Sequence, residues 1–351
     1  MVAIVTDSER PHARRFERQT RFAPFGREGQ ERLARTRVLL VGCGALGGAI
    51  AQNLTRSGVG ELVLVDRDVV EESNLPRQVL FDERHARERT EKSVAAAESL
   101  ARIGGPTRVE ALSEHVDADN VERLAEGCHL VLDGTDNLET RYLVNDLCVD
   151  RGLPWVYGGV VGGSGLVMPV IPSRGPCLAC LFPEPPPPGV LPTCETAGVL
   201  EPAVALVAAL QSSLALRLAT SPEGLEPRLY ELDAWNARVR ELPVARDPAC
   251  RVCSDAGPRE RRYLHAPRVQ RAVSLCGRNT VQVRGARARP DLARLAAGLA
   301  GIARDVRHQG AILRFAVESE RYTVFADGRA LIEGVSDPDR ALSLYDRYVG
   351  S

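Results

Sequence analysis

The residues most able to do chemistry begin at Gly42-Cys43-Gly44-Ala45-Leu46-Gly47, a G-x-G-x-x-G turn placed directly after the apolar run Arg37-Val-Leu-Leu-Val41. Glycines at that spacing allow a tight turn, close approach of backbone N–H groups to a phosphate, and close packing of the helix that follows. The N-terminus of that helix adds partial positive charge facing the anion. Asp66 closes the next apolar run, where a carboxylate can accept from ribose hydroxyls. Downstream lie Asn74 and Arg77 within Ser73-Asn-Leu-Pro-Arg-Gln78, then Lys92, then Asp136 within Asp133-Gly-Thr-Asp-Asn137. Lys92 is the only lysine beside 44 arginines, which marks it as a candidate for a position needing a compact ammonium. Two cations and an amide suit a polyphosphate, and a carboxylate such as Asp136 can hold Mg²⁺. The set favours ATP over NAD or FAD, because a nicotinamide site leaves Arg77, Lys92 and Asp136 without work.

Nine cysteines form a second group of candidates. Cys177-x-x-Cys180 and Cys250-x-x-Cys253 are two thiolate pairs, which together suit a closed tetrahedral Zn²⁺ site; a redox role for either pair is the competing reading. Cys194 sits beyond the proline run 185–188, where an exposed thiol could react; an incidental loop thiol is the bland reading. Cys43, Cys128 and Cys148 read as core. The histidines show no metal or triad spacing, and His85 and His115 read as surface residues.

These groups need a scaffold that presents strand ends. Strand, glycine turn, helix and strand over 37–65 make one βαβ unit with a parallel pair. Further strands are expected at 108–112, 130–133, 154–159, 165–171, 228–232 and 238–242. Helices are expected at 94–103, 121–126, 141–150 and 202–219. Gly158-Gly159 and Gly162-Gly163 read as turns that leave room for an extended glycine tail. The fold class is α/β, a Rossmann-like, mostly parallel sheet with helices on both faces, plus a small C-terminal α+β module. Residues 1–15 read as a flexible tail, 254–262 as a polar linker, and 263–351 as the module, with an Asp327-Gly328 hairpin turn. A net charge of −1 argues against a general nucleic-acid binder. The sequence has no uninterrupted apolar run of membrane-spanning length and no apolar signal core at its start, so a cytoplasmic, reducing location away from membranes is expected.

Over residues 16–255 the chain resembles the ThiF/MoeB family of ubiquitin-activating-like adenylyltransferases. The resemblance rests on Gly42–Gly47, Asp66, Ser73-Asn74-Leu75-x-Arg77-Gln78, Lys92 and Gly134-Thr135-Asp136-Asn137, in the family's order. It implies ATP-dependent adenylylation of the C-terminal Gly-Gly carboxylate of a ubiquitin-like sulfur carrier protein, with release of pyrophosphate. It implies Gly42, Gly44, Gly47, Asp66, Asn74, Arg77, Lys92 and Asp136 around Mg-ATP, and a structural Zn²⁺ on the four paired cysteines. It gives Arg18, in Arg15-Phe-Glu-Arg-Gln19, the nucleotide of a partner subunit, hence a homodimer. It gives Cys194 persulfide or thioester chemistry, with a sulfur donor such as a cysteine desulfurase. Members with a rhodanese domain differ, since 263–351 is too short for one. An NAD-dependent oxidoreductase and a non-catalytic interaction protein on the same fold are the rivals.

Overall fold

The computed structural model describes residues 14–136, 138–184, 197–255, 259–265, 272–275, 279–284 and 290–349. The chain divides into two compact units, Met1–Ala266 and Pro267–Ser351.

The first unit is an eight-stranded sheet. Its strands are β1 (Arg37–Val41), β2 (Glu61–Val65), β3 (Arg108–Leu112), β4 (Leu130–Asp133), β5 (Trp155–Val161), β6 (Ser164–Val170), β7 (Leu229–Asp233) and β8 (Arg238–Leu242). They lie in the order β3-β2-β1-β4-β5-β6-β7-β8. The first five run parallel and the last three are antiparallel. Central parallel strands are covered on both faces, which is why β1, β2 and β4 read as unbroken apolar runs. The order reverses between β1 and β4. In open α/β sheets the crevice at the carboxyl ends of such a pair is where ligands bind.

Helix α3 (Ala45–Ser57) buries Leu46, Ile50 and Leu54 against one face, each worth about 1.5–3 kcal/mol of transfer free energy. It ends at Gly58, whose φ of 84° is left-handed and whose missing side chain leaves room for Phe16. Before it come α1 (Glu17–Thr20) and α2 (Gly26–Leu33). After it come α4 (Glu83–Glu88), α5 (Lys92–Ile103), α6 (Val121–Leu124), α7 (Leu138–Arg151), α8 (Leu178–Leu181) and α9 (Glu201–Thr220). Helices α3, α5 and α9 share one core with one face of the sheet; α6, α7 and the segment holding Cys177, Cys250 and Cys253 share the other. Helix α9 is long and apolar enough, by length and composition, to cross a bilayer, yet 56% of its most apolar window is buried inside the protein. Its apolarity serves the core.

Several expectations change here. His85 is fully buried, closing the first turn of α4 with Asp82. Gly158 and Gly159 lie inside β5 and form no turn; a side chain at Gly158 would collide with Gln211 of α9. The run expected to be a linker is partly docked: Arg261 is buried and bonded to the Val252 carbonyl, and just beyond that run the Tyr263 N–H donates to Asp146 Oδ2 at 3.0 Å.

The second unit is a six-stranded antiparallel sheet. Its strands are β9 (Ala272–Ser274), β10 (Thr280–Arg284), β11 (Arg304–Gln309), β12 (Ile312–Val317), β13 (Glu320–Phe325) and β14 (Arg329–Glu333), in the order β11-β12-β13-β14-β10-β9. Helices α10 (Leu292–Leu299) and α11 (Pro338–Tyr348) complete it. Its core gathers Val281, Leu313, Phe315, Tyr322, Val324 and Ile332, with Phe315 stacked on Tyr322 at 4.6 Å.

One buried network ties the strand ends of the first unit together. Arg141 of α7 donates through Nε to Asp133 Oδ2 at 2.9 Å, and through Nη2 to the carbonyls of Thr135 (2.6 Å) and Gly158 (2.9 Å). Gln211 Nε2 donates to the Asp133 carbonyl at 2.8 Å. Removing one member of a buried ion pair leaves an uncompensated charge and costs about 3–5 kcal/mol. Arg141→Ala is therefore expected to lower stability by about that much in denaturant titration, and an unchanged midpoint would contradict this reading of the network.

Candidate nucleotide and metal sites

The glycine turn is fixed by backbone contacts. Gly42 has a φ of 92°, and a Cβ there would stand 2.6 Å from the Gly134 carbonyl oxygen. A Cβ on Gly47 would collide with the Gly42 carbonyl. These two glycines, with Gly134, let the turn, α3 and the end of β4 touch. Gly44 differs. It caps α3, and a Cβ there would meet only the Gln78 Nε2 atom, at 3.8 Å. The space over Gly44, at the positive end of a 13-residue helix, is open to an anion.

Asp66 and Lys92 stand beside it. Asp66 accepts from the Cys43 N–H at 2.7 Å and the Asp68 N–H at 2.8 Å, so it braces the turn itself. Burial raises its pKa, with the Lys92 charge acting against that shift. Lys92 is the first residue of α5 and is buried. Its Nζ donates to Asp68 Oδ2 at 3.0 Å. Burial works against its charge, but Asp68, Asp66 and the more distant Asp136 outweigh it and hold the ammonium above the usual lysine range. Asp136, past the end of β4, is exposed. The structure thus brings Gly42–Gly47, Asp66, Lys92 and Asp136 to one crevice.

The other expected residues fall out differently. Asn74 is buried, and its Oδ1 accepts from the Glu71 N–H at 3.0 Å, which closes a short helical turn. Arg77 Nη1 donates to the Ser73 carbonyl at 2.8 Å, and no carboxylate pairs with it among the described residues. Arg18 lies on α1, which leads into α2, and the neighbouring Gln19 bonds the Ser57 carbonyl at 3.0 Å. That is the far end of α3, a helix about 20 Å long by its rise per residue. Arg18 therefore does not belong to the crevice at Gly44 of its own chain. Cys194 lies outside the described residues, as does Asn137. Sequence reading missed the roles of Asp133, Arg141 and Gln211; Arg141 meets Asp133 across eight residues, but Gln211 joins them from 78 residues away. For Gln78 the signal was present, inside the quoted motif, with no spacing rule to interpret it.

Cys177, Cys180, Cys250 and Cys253 converge, with all four sulfurs within 4.8 Å of one another. The pairwise distances 177–180, 177–250 and 180–253 are 3.9, 3.7 and 3.3 Å. A tetrahedron with metal–sulfur bonds of about 2.3 Å needs sulfurs about 3.8 Å apart, so the set fits a four-thiolate ion. A disulfide would need about 2.05 Å.

The glycines give a direct contrast. Gly47→Ala forces backbone apart and should cost about 1–3 kcal/mol or more. Gly44→Ala meets no backbone and should cost under about 1 kcal/mol. Thermal unfolding of the two variants measures this, and equal losses would contradict the assigned packing.

The sequence pattern of the ThiF family matches residues 16–252. The sulfur carrier protein ThiS adenylyltransferase of Bacillus subtilis is 39% identical over 339 residues, spanning 96% of this chain and 99% of that protein. The SAMP-activating enzyme E1 of Haloferax volcanii is 39% identical over 244 residues, covering 69% of this chain and 89% of that protein. A crystal structure of E. coli MccB with ATP superposes with a TM-score of 0.60 at 21% identity, over 68% of this chain and 74% of that one, a likeness of fold. With a family match over two thirds of its length and a relative aligned nearly end to end, this chain belongs to the ThiF family.

Proposed function

We propose that the protein adenylylates the C-terminal Gly-Gly carboxylate of a ubiquitin-like sulfur carrier protein, using Mg-ATP and releasing pyrophosphate. The observation that carries this reading is the buried Lys92, bonded to Asp68 and within the field of Asp66 and Asp136 near the N-terminus of α3. The names of the relatives supply the substrate class: a ThiS adenylyltransferase and a SAMP-activating enzyme. An oxidoreductase leaves Lys92, Arg77 and Asp136 unexplained, and no relative cited above is one.

Catalysis is then mostly positioning and charge stabilisation. The carrier's carboxylate is ionised at neutral pH and needs no general base. Its oxygen attacks the α-phosphorus, and pyrophosphate leaves. The N-terminus of α3 cradles the phosphates over Gly44, Lys92 and Arg77 balance their charge, and Asp66 accepts from the ribose. Asn74 shapes the segment that carries Arg77. Asp136, exposed at the end of β4, is the oxygen ligand that would hold Mg²⁺, which supplies charge neutralisation on the phosphates. Lys92 must trade Asp68 for a phosphate oxygen when the nucleotide arrives. Arg18, far from its own chain's crevice, would serve the nucleotide of a second copy, so the working unit is a homodimer. Cys194 would relay sulfur to the activated carrier, supplied by a donor such as a cysteine desulfurase.

The four cysteines would hold a structural Zn²⁺ that ties the segment after β6 to the end of the first unit. A closed four-thiolate site contributes folding free energy. The purified protein is expected to contain one zinc per chain, and chelation or Cys250→Ser should lower the thermal midpoint by several degrees. Metal-free, reduced protein with an unaltered midpoint would contradict a structural zinc.

The function is tested by exchange of labelled pyrophosphate into ATP with purified protein, Mg²⁺ and a Gly-Gly-ending carrier from the same cell. Exchange is expected with wild type, and a loss of about a hundredfold or more with Lys92→Ala. No exchange with any such carrier would refute the reading, and full activity in Lys92→Ala would remove Lys92 from the site.

A further inference from the structure

Gln78 has no structural duty that explains where it is. Its side chain is 5% exposed, and its Oε1 is buried with no hydrogen-bond partner among the described residues. Its backbone N–H donates to the Asn74 carbonyl at 3.0 Å, which fixes the main chain and leaves the carboxamide available. Beyond Gly44 and its two chain neighbours, Nε2 is the described heavy atom that stands within 4 Å of the point where a Gly44 side chain would be, at 3.8 Å. Nε2 makes no hydrogen bond among the described residues, so its N–H is available to an acceptor placed over Gly44; the buried Oε1, itself an acceptor, gains nothing from a phosphate oxygen. The carboxamide walls the open space at the N-terminus of α3.

A neutral donor suits this position. Asp66, Asp68 and Asp136 already surround Lys92, so a fourth carboxylate would repel a phosphate. An amide N–H can approach a phosphate oxygen without adding charge or competing for those carboxylates.

We propose that Gln78 is a catalytic residue of the adenylyl transfer. Its carboxamide N–H donates to a non-bridging oxygen of the phosphate lying over Gly44, where charge is redistributed during the reaction. In that step a carrier carboxylate oxygen bonds to the α-phosphorus. The bond from that phosphorus to the bridging oxygen breaks, and pyrophosphate leaves with the electron pair; no proton is transferred. This role rests on the function proposed above.

The test is a pair of size-matched variants, Gln78→Glu and Gln78→Met, followed by pyrophosphate exchange, Mg-ATP affinity and thermal unfolding between pH 5 and pH 8. At pH 8, Gln78→Glu is expected to reduce exchange kcat about a hundredfold and to weaken Mg-ATP binding. Both should recover as the pH falls and the introduced carboxyl, raised by burial and nearby negative charge, gains a proton and becomes a donor again. Gln78→Met should lose kcat without that recovery while keeping the wild-type thermal midpoint; Gln78→Glu should lower that midpoint at pH 8, where its buried carboxylate is ionised, and regain it as the pH falls. Wild-type-like kcat in Gln78→Glu at pH 8 would overturn the role. So would a loss that follows the thermal midpoint and ignores pH. Wild type that binds Mg-ATP but exchanges with no carrier would refute the carrier reading alone, leaving Gln78 to be decided by the pH dependence of Mg-ATP affinity. Wild type that binds no Mg-ATP would refute both.

Discussion

Charge balance at Lys92 is the constraint on which the site depends. Three carboxylates, Asp66, Asp68 and Asp136, act on one buried ammonium. Arg77 is the second cation of the candidate set. Three negative charges against two positive ones do not form a strong anion site. A triphosphate can be accommodated only if further positive charge is brought in. The N-terminus of α3 supplies some of it through open backbone N–H groups. On the proposed function, a divalent cation on Asp136 would supply more, and Arg18 of a second copy would complete it. The proposed Mg²⁺ and the proposed second copy would answer the same imbalance.

The backbone contact among Gly42, Gly47 and Gly134 makes this balance possible, because it sets β4 and its following loop against the turn. Behind the crevice, Arg141 and Gln211 anchor the end of β4 to β5, α7 and α9. Asp136 sits three residues beyond that anchored aspartate. The cysteine cluster belongs to the opposite core, on the α7 side of the sheet, beside the four-residue helix α8. Helices α3 and α5, which border the crevice, and the cysteine cluster thereby belong to cores on opposite faces of the sheet.

Much of this was legible in the sequence, for identifiable reasons. Parallel strands buried on both faces must be continuous apolar runs, so β1, β2 and β4 could be placed to the residue. Lys92 stood out because the chain uses arginine everywhere else. The paired cysteines carried their spacing with them. What stayed hidden depends on partners far apart in the chain. Asp133, Arg141 and Gln211 meet across 78 residues and leave no local pattern. Gly158 looked like a turn residue, whereas it makes room for Gln211 within a strand. Strand β11 is a polar, mostly exposed edge of the second sheet with no apolar alternation to reveal it. His85 was misread because a histidine closing a helix turn looks in sequence like any surface histidine.

The most direct test is a crystal structure of the protein with Mg²⁺ and a non-hydrolysable ATP analogue. The charge-balance account predicts the triphosphate across Gly44, with Lys92 Nζ moved from Asp68 onto a phosphate oxygen and Arg18 of a second copy reaching the nucleotide. A nucleotide bound elsewhere, or Lys92 still paired with Asp68 while the analogue occupies the crevice, would contradict it.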